Sequence, residues 1–196
     1  MIYDEGRATV ERLFADAECL VRRQMAENGK LHPFLLLQGC NGKFKFEPRG
    51  ELSDEKSKCL YEEHARLVCL SQAAEATVFA IEGRIRFCIG NAAARNGRMS
   101  KEVVEIPAVA LVGETRTGQF QKIVPVMRAD DGRLIGLGEC PEIRQDRLDG
   151  PFSNFLSASI PDDKTRNMAF AVVEMMGIGD DVERILESGR RRGMVR

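Results

Sequence analysis

Apolar residues at spacings of three and four predict a long amphipathic helix near the amino terminus. The helix is expected over residues 4–27, with charged residues such as Arg12 and Asp16 on its opposite face. Asn28 and Gly29 end it, because glycine readily adopts the left-handed conformation that terminates a helix. Its apolar face consists of Val10, Leu13, Phe14, Ala17, Leu20, Val21 and Met25.

The next segment predicts a β-hairpin. An apolar run at 33–38 forms the first strand, and Asn41 and Gly42 tolerate the positive φ angles of a type I′ turn. The second strand, 43–47, has a period of two, so that one face is wet and the other dry. It alternates Lys43 and Lys45 with Phe44 and Phe46.

A second long helix is predicted from its capping signals and from the absence of glycine and proline up to about residue 75. Ser53 is the expected N-cap, and Asp54 and Glu55 complement the helix dipole in the first turn. The predicted buried stripe is Leu60, His64, Leu67, Leu70 or Ser71, and Ala74. A histidine on such a stripe is interpreted as a hydrogen-bonded core residue, with a functional role as the alternative.

Alternation and turn residues then predict an antiparallel meander. Gly83 suggests a bulge or bend partway along its first strand, and Asp131 with Gly132 marks a hairpin turn. The predicted strands cover 77–89, 103–112, 120–127 and 134–140.

The last part of the chain predicts one or two helices. The first begins at Pro161, although 169–173 also suits a strand, and its apolar face is Met168, Ala171, Val172 and Met175. Asp180 and Glu183 have capping-box spacing, which predicts a final helix to about Ser188. The tail, 190–196, holds four arginines and no acidic residue.

These elements predict an α+β fold. An antiparallel sheet of about five or six strands, a hairpin plus a meander, carries both long helices on one face. Residues 1–160 are expected to form the α+β core, and 161–196 a C-terminal helical segment with a basic tail that belongs to the same domain.

Composition narrows the class of protein. The 196 residues contain 29 Lys plus Arg and 30 Asp plus Glu, and this net charge of −1 argues against a dedicated nucleic-acid or membrane-surface protein. No apolar run approaches the roughly 20 residues of a membrane span, and the amino terminus is acidic where a signal peptide is apolar. A cytoplasmic location is expected.

Motifs for metal or cofactor chemistry are absent from the sequence. The six cysteines form no C-x-x-C pair, and His32 and His64 are not paired with one another or with a cysteine, so free thiols are expected and no metal site. The glycine-rich stretches 90–97 and 136–138 lack the features of a phosphate-binding loop. No cofactor is predicted.

The one constellation that suggests binding is basic. If the two strands that carry them share a sheet, four basic side chains can form a stripe on its solvent face, and the tail is the second concentration of positive charge. The alternative interpretation is a solvated sheet face and a frayed tail. The candidate binding residues are Lys43, Lys45, Arg84, Arg86, Arg190, Arg191 and Arg192.

Three functional hypotheses remain from the sequence. The first is a non-enzymatic interaction or regulatory module that binds a protein partner or associates with itself through an apolar surface. The second is a small enzyme with a site around His64 or Cys140. The third is an anion or nucleic-acid binder that uses the basic stripe and the tail.

Overall fold

A computed structural model describes residues 2–90, 101–139, 143–145, 152 and 154–185 of the chain. Its helices are α1 (Ile2–Asn28), α2 (Glu55–Ser71) and α3 (Asp163–Met175), followed by a 3₁₀ turn at Ile178–Asp181. Its strands are β1 (Phe34–Gly39), β2 (Gly42–Phe46), β3 (Ala76–Gly90), β4 (Lys101–Thr115), β5 (Gly118–Arg128), β6 (Leu134–Leu137), β7 (Arg144–Gln145) and β8 (Val182–Ile185).

The strands form an antiparallel sheet in the order β6-β5-β4-β3-β1-β2-β8, with β7 beside β5. The α+β class, the hairpin and the meander are therefore confirmed. The predicted count of five or six strands is too low, because β7 and β8 lie in segments that were predicted as irregular and helical. Gly83 pairs with Ala108 without a shift in register, so the predicted bulge is also wrong.

Local turn chemistry explains the element ends. Gly29, at φ 70°, stops α1 by donating its N–H to the Met25 carbonyl at 2.9 Å, as the sequence predicts. Gly132 takes φ 83° in the β5–β6 turn. In the β1–β2 hairpin the turn residues are Cys40 and Asn41, one residue earlier than predicted, and Gly42 beside them has the positive φ, 131°. A type I′ turn requires a positive φ at both central residues, so the predicted turn type is wrong.

The sheet is covered on both faces, which corrects the prediction of both long helices on one face. Phe34 and Leu36 pack with α1, whereas Leu35 and Leu37 pack with α2 and α3, and all four are fully buried. Successive strand residues point to opposite faces, so α1 lies on one face and α2 with α3 on the other. The uninterrupted apolar run of β1 is typical of a strand buried on both faces.

Helix α2 differs from its prediction in cap, length and buried face. Asp54, not Ser53, is the N-cap, and its carboxylate accepts the Ser57 N–H at 2.7 Å in a capping box. The helix ends at Ser71 rather than near residue 75. Its buried residues are Tyr61, Ala65, Val68, Cys69 and Ser71.

That buried face is rotated by about one residue from the predicted stripe, and Leu60 is 49% exposed. Tyr61 explains the rotation. It stacks on Phe46 with ring centroids 5.1 Å apart, and its hydroxyl donates to the Phe46 carbonyl at 3.2 Å.

The predicted final helix is wrong where the structure describes it. Residues 182–185 form β8, which pairs with the open edge of β2. Lys45 of β2 also binds Glu183 of β8 at 2.9 Å. Strand β2 therefore offers residues 182–185 both backbone and side-chain partners, and these contacts outweigh a weak local preference for a helix.

A loop with two strained residues closes the α2 face of the sheet. Phe152 and Asn154 have φ angles of 69° and 63°, a region that costs a residue with a side chain about 1 kcal/mol or more. Carboxylates hold the loop: Glu62 accepts the Phe152 N–H at 2.7 Å, and Glu114 accepts the Phe155 N–H at 2.8 Å.

Candidate interaction surfaces

Helix α3 exposes the apolar face that the sequence predicts. Asp162 caps the helix by accepting the Thr165 N–H at 2.7 Å, which confirms a helix rather than a strand over 169–173. The residues that α3 buries are Ala169 and Val173. A helix has 3.6 residues per turn, so the row formed by Met168, Ala171 and Met175 points away from the protein.

The exposure of this row is large. Met168 is 61% exposed and Met175 is 81% exposed, although methionine is ordinarily a buried residue. Three other large apolar residues of this segment are also exposed on other sides of the helix or before it, namely Ile160 at 69%, Phe170 at 49% and Met176 at 45%. Clustered rather than scattered exposed apolar residues are typical of interaction sites. We call Met168, Ala171 and Met175 the α3 row.

Opposite charges lie at the two ends of the α3 row. Lys164 is in the first turn of the helix and Glu174 in the last, about 15 Å apart at 1.5 Å per residue. Both are exposed, and neither makes an ion pair with another residue in the described part of the chain. A second α3 in antiparallel orientation therefore meets each charge with its opposite.

The predicted basic residues of the hairpin are ion-paired. Lys43 binds Asp16 of α1, and Lys45 binds Glu183 at 2.9 Å and Glu47 at 3.4 Å. The lysine side chains are only 15% and 17% exposed. They lie on the α1 face of the sheet, so the predicted wet face is partly covered.

Burial lowers the pKa of the Lys45 ammonium, but the hydrogen bond to Glu183 and the charges of Glu47 and Glu183 outweigh it, and the pKa is raised overall. Lys45 is therefore positively charged and held by two carboxylates. Its arrangement is that of an ion pair between the neighbouring strands β2 and β8.

Arg84 and Arg86 share the α1 side of the sheet with the lysines but lie far from them. Lys45 of β2 pairs with Leu36 of β1, which in turn pairs with Val78 of β3. Arg84 is six residues beyond Val78 along β3, a distance of about 20 Å at 3.3 Å per residue. The structure therefore does not bring the four together into one stripe. Their role in binding stays a prediction, and Arg190, Arg191 and Arg192 lie outside the described residues.

The two arginines face one carboxylate across the β3–β4 pair. Arg86 donates to Glu105 at 2.5 Å, and Arg84 lies 3.8 Å from it. The hydrogen bond from Arg86 and its charge lower the pKa of the Glu105 carboxyl. Among the described residues, two guanidinium groups thus share one carboxylate.

Of the two residues of the enzyme hypothesis, the structure describes only His64. His64 is half-buried, and its Nε2 atom is buried without a hydrogen-bond partner in the described part of the structure. Cys140 lies outside the described residues. Cys19, Cys40, Cys59 and Cys69 are free thiols, and burial raises the pKa of Cys69 well above its ordinary range, which keeps that thiol protonated.

No group of three or more His, Cys, Asp or Glu side chains within the described ranges is arranged to hold a metal ion. None of the helices in the described part of the chain has the length and apolarity that a membrane span requires.

Comparisons with known proteins give no relative. No protein-family model matches the chain, and neither the curated proteins nor the solved structures contain a match.

Proposed function

We propose that this protein is a self-associating interaction module and that two copies meet through the α3 row. The observation that supports the proposal is the 61% and 81% exposure of Met168 and Met175 on one face of a capped helix. A two-fold dimer uses the same surface on both copies, so the surface must be complementary to itself. The α3 row satisfies this condition in an antiparallel pair of helices, because Lys164 of each copy then lies toward Glu174 of the other, while Asp163 of the first turn is paired with Arg166 of the same helix.

The center of the row favours close approach of two helices. Ala171 lies between the two methionines, and a small residue there lets the helix backbones come near each other. The flexible methionine side chains on either side adapt their shape to a facing helix.

The expected affinity is modest. Full burial of one methionine side chain contributes about 1.5–3 kcal/mol, so the four methionines of two copies contribute on the order of 4–8 kcal/mol after allowance for their existing burial. Association costs at least about 4 kcal/mol of translational and rotational freedom. The difference is at most about 4 kcal/mol, so a dimer held by the α3 row alone is expected to dissociate at about millimolar concentration or above.

Sedimentation from about 10 μM to about 2 mM protein tests the proposal, because the upper part of this range reaches the affinity expected. A reducing agent is required because Cys19, Cys40 and Cys59 are exposed. The weight-average mass is expected to rise with concentration above the 21.9 kDa of one chain. The double variant Met168→Glu/Met175→Glu is expected to remain at 21.9 kDa.

Ile135→Glu supplies the matched control, because Ile135 of β6 is 63% exposed and lies outside α3. It is expected to associate as the natural chain does. A natural chain that stays at the mass of one copy throughout the range contradicts the proposal. Equal loss of association in the α3 and Ile135 variants contradicts it as well.

A further inference from the structure

Strands β3 and β4 extend beyond the rest of the sheet as a two-stranded arm. The pairing of β3 with β1 ends at Ala80, and the pairing of β4 with β5 ends at Ala108. Residues 84–90 and 101–107 continue to pair with each other, over a length of about 23 Å. We call these two segments the arm.

The two outer edges of the arm differ in their capacity to accept another strand. Pro107 lies at the base of the β4 edge and has no N–H to donate. Residues 84–90 of β3 contain no proline, and among the described strands they pair with β4 alone. The same edge of β3 already pairs with β1 in the body of the sheet. Residues 84–90 continue that edge, so their backbone can pair with a strand in the same way.

The side chains along this edge of β3 determine which kind of strand can bind to it. Arg84 and Arg86 are 78% and 75% exposed and point to one face of the arm. Glu105 on the neighbouring strand β4 shows that a carboxylate in register with Arg86 reaches its guanidinium. On the opposite face, Ile85 is paired with Ile106, and both are half-buried.

A strand that adds to the open edge of β3 is therefore complementary if it alternates acidic with apolar residues. Its acidic side chains lie beside the two arginines, and its apolar side chains extend the surface of Ile85. The same edge of a second copy fits poorly, because it brings the arginines of both copies close together. We propose that the β3 edge of the arm binds an extended acidic peptide segment of another protein by strand addition.

Fluorescence anisotropy with a defined probe tests this inference. The probe is a labelled synthetic peptide, as long as the arm, in which glutamate alternates with valine, and the protein is the full chain. Binding is expected for the natural chain. The variant Arg84→Glu/Arg86→Glu is expected to bind about tenfold or more weakly and to prefer a peptide that alternates lysine with valine.

Arg133→Glu is the charge control, because Arg133 is 76% exposed and lies in the β5–β6 turn, outside the two segments of the arm. It is expected to leave binding unchanged. Methylation of the peptide amides tests the backbone pairing: blocking one alternate set of amides is expected to abolish binding, and blocking the other set to preserve it.

Several results overturn the inference. These are the absence of binding, equal tolerance of both methylation patterns, and equal loss in the Arg133 variant. Competition by duplex DNA as effective as that by unlabelled peptide also overturns it, because the arginines then act as a general anion surface. Failure of this binding leaves the self-association through α3 untouched, since the two surfaces share no residue.

Discussion

The carboxylate of Glu114 is expected to control both the stability of the protein and its dependence on pH. Glu114 is only 8% exposed, lies on the α2 face of β4 and accepts the Phe155 N–H. Burial raises the pKa of Glu114, and this effect outweighs the backbone hydrogen bonds from Phe155, Leu156 and Asn154 and the charge of Arg66. The folded protein therefore binds the proton of Glu114 more tightly than the unfolded chain does.

Two substitutions separate the hydrogen bond from the charge. Glu114→Ala leaves buried amides without an acceptor, which costs about 1–3 kcal/mol. For a domain of this size each kcal/mol lowers the Tm by about 2–4 °C, so a loss of about 4–8 °C is expected for the middle of that range. Glu114→Gln keeps a carbonyl acceptor and removes the buried charge, so its stability at neutral pH is expected to equal or exceed that of the natural chain.

The direction in which stability changes with pH provides a further test. A raised folded pKa means that the natural chain loses stability relative to Glu114→Gln as the pH rises from the ordinary value of 4.5 to the folded pKa. Above the folded pKa the difference is constant. Urea unfolding of both proteins from about pH 4 to 8 measures it. Parallel curves, or a Glu114→Ala variant as stable as Glu114→Gln, refute the reasoning.

Three further predictions concern packing, capping and charge. Gly113→Ala places a Cβ 2.5 Å from a ring carbon of Phe14, so it is expected to lower the free energy of unfolding in urea by about 1–3 kcal/mol. Gly83→Ala, with open space around it, is expected to lower it by about 1 kcal/mol or less, and equal losses contradict the packing of α1 on β4. Asp54→Ala is expected to lose about 1 kcal/mol, while Ser53→Ala changes little, and the reverse order contradicts the assigned cap. Burial raises the pKa of Glu18, but the hydrogen bonds and charges of Lys122 and Arg22 outweigh this effect and lower the pKa overall. The protein therefore loses stability as the pH falls through that lowered pKa. A Glu18→Gln variant whose stability depends on acid pH in the same way as that of the natural chain contradicts the pairing.

Much of the local structure follows from the sequence because it depends on neighbours along the chain. The period of α1, the alternation of β2 and the glycines that end α1 and turn β5 into β6 are all properties of short segments. Such signals identify an element and an apolar face.

The face of the sheet that each helix covers could not be predicted in the same way. Which face a helix covers depends on contacts between residues far apart in sequence, and the apolar residues at every position of 34–37 are the one local sign that both faces are buried. The same limit explains β8, which becomes a strand because β2 offers it an edge.

The candidate site was predicted in part. The sequence indicates the apolar face of α3 but not that it points outward, because Ala169 and Val173 suffice to anchor the helix to the body. It identifies Arg84 and Arg86 as candidates, yet their distance from Lys43 and Lys45 follows only from the register of the sheet. The acidic partners of the lysines come from α1 and β8, which no local pattern connects to β2.

Complementation between two charged variants tests the central claim most directly. One variant carries Met168→Glu with Met175→Glu, and the other carries Met168→Lys with Met175→Lys. Each alone is expected to sediment as a single copy of 21.9 kDa, because like charges meet across the two-fold axis. An equimolar mixture is expected to form a heterodimer whose formation weakens with added salt. A mixture that stays at the mass of one copy, while the natural chain associates, would show that the α3 row is not the surface through which two copies meet.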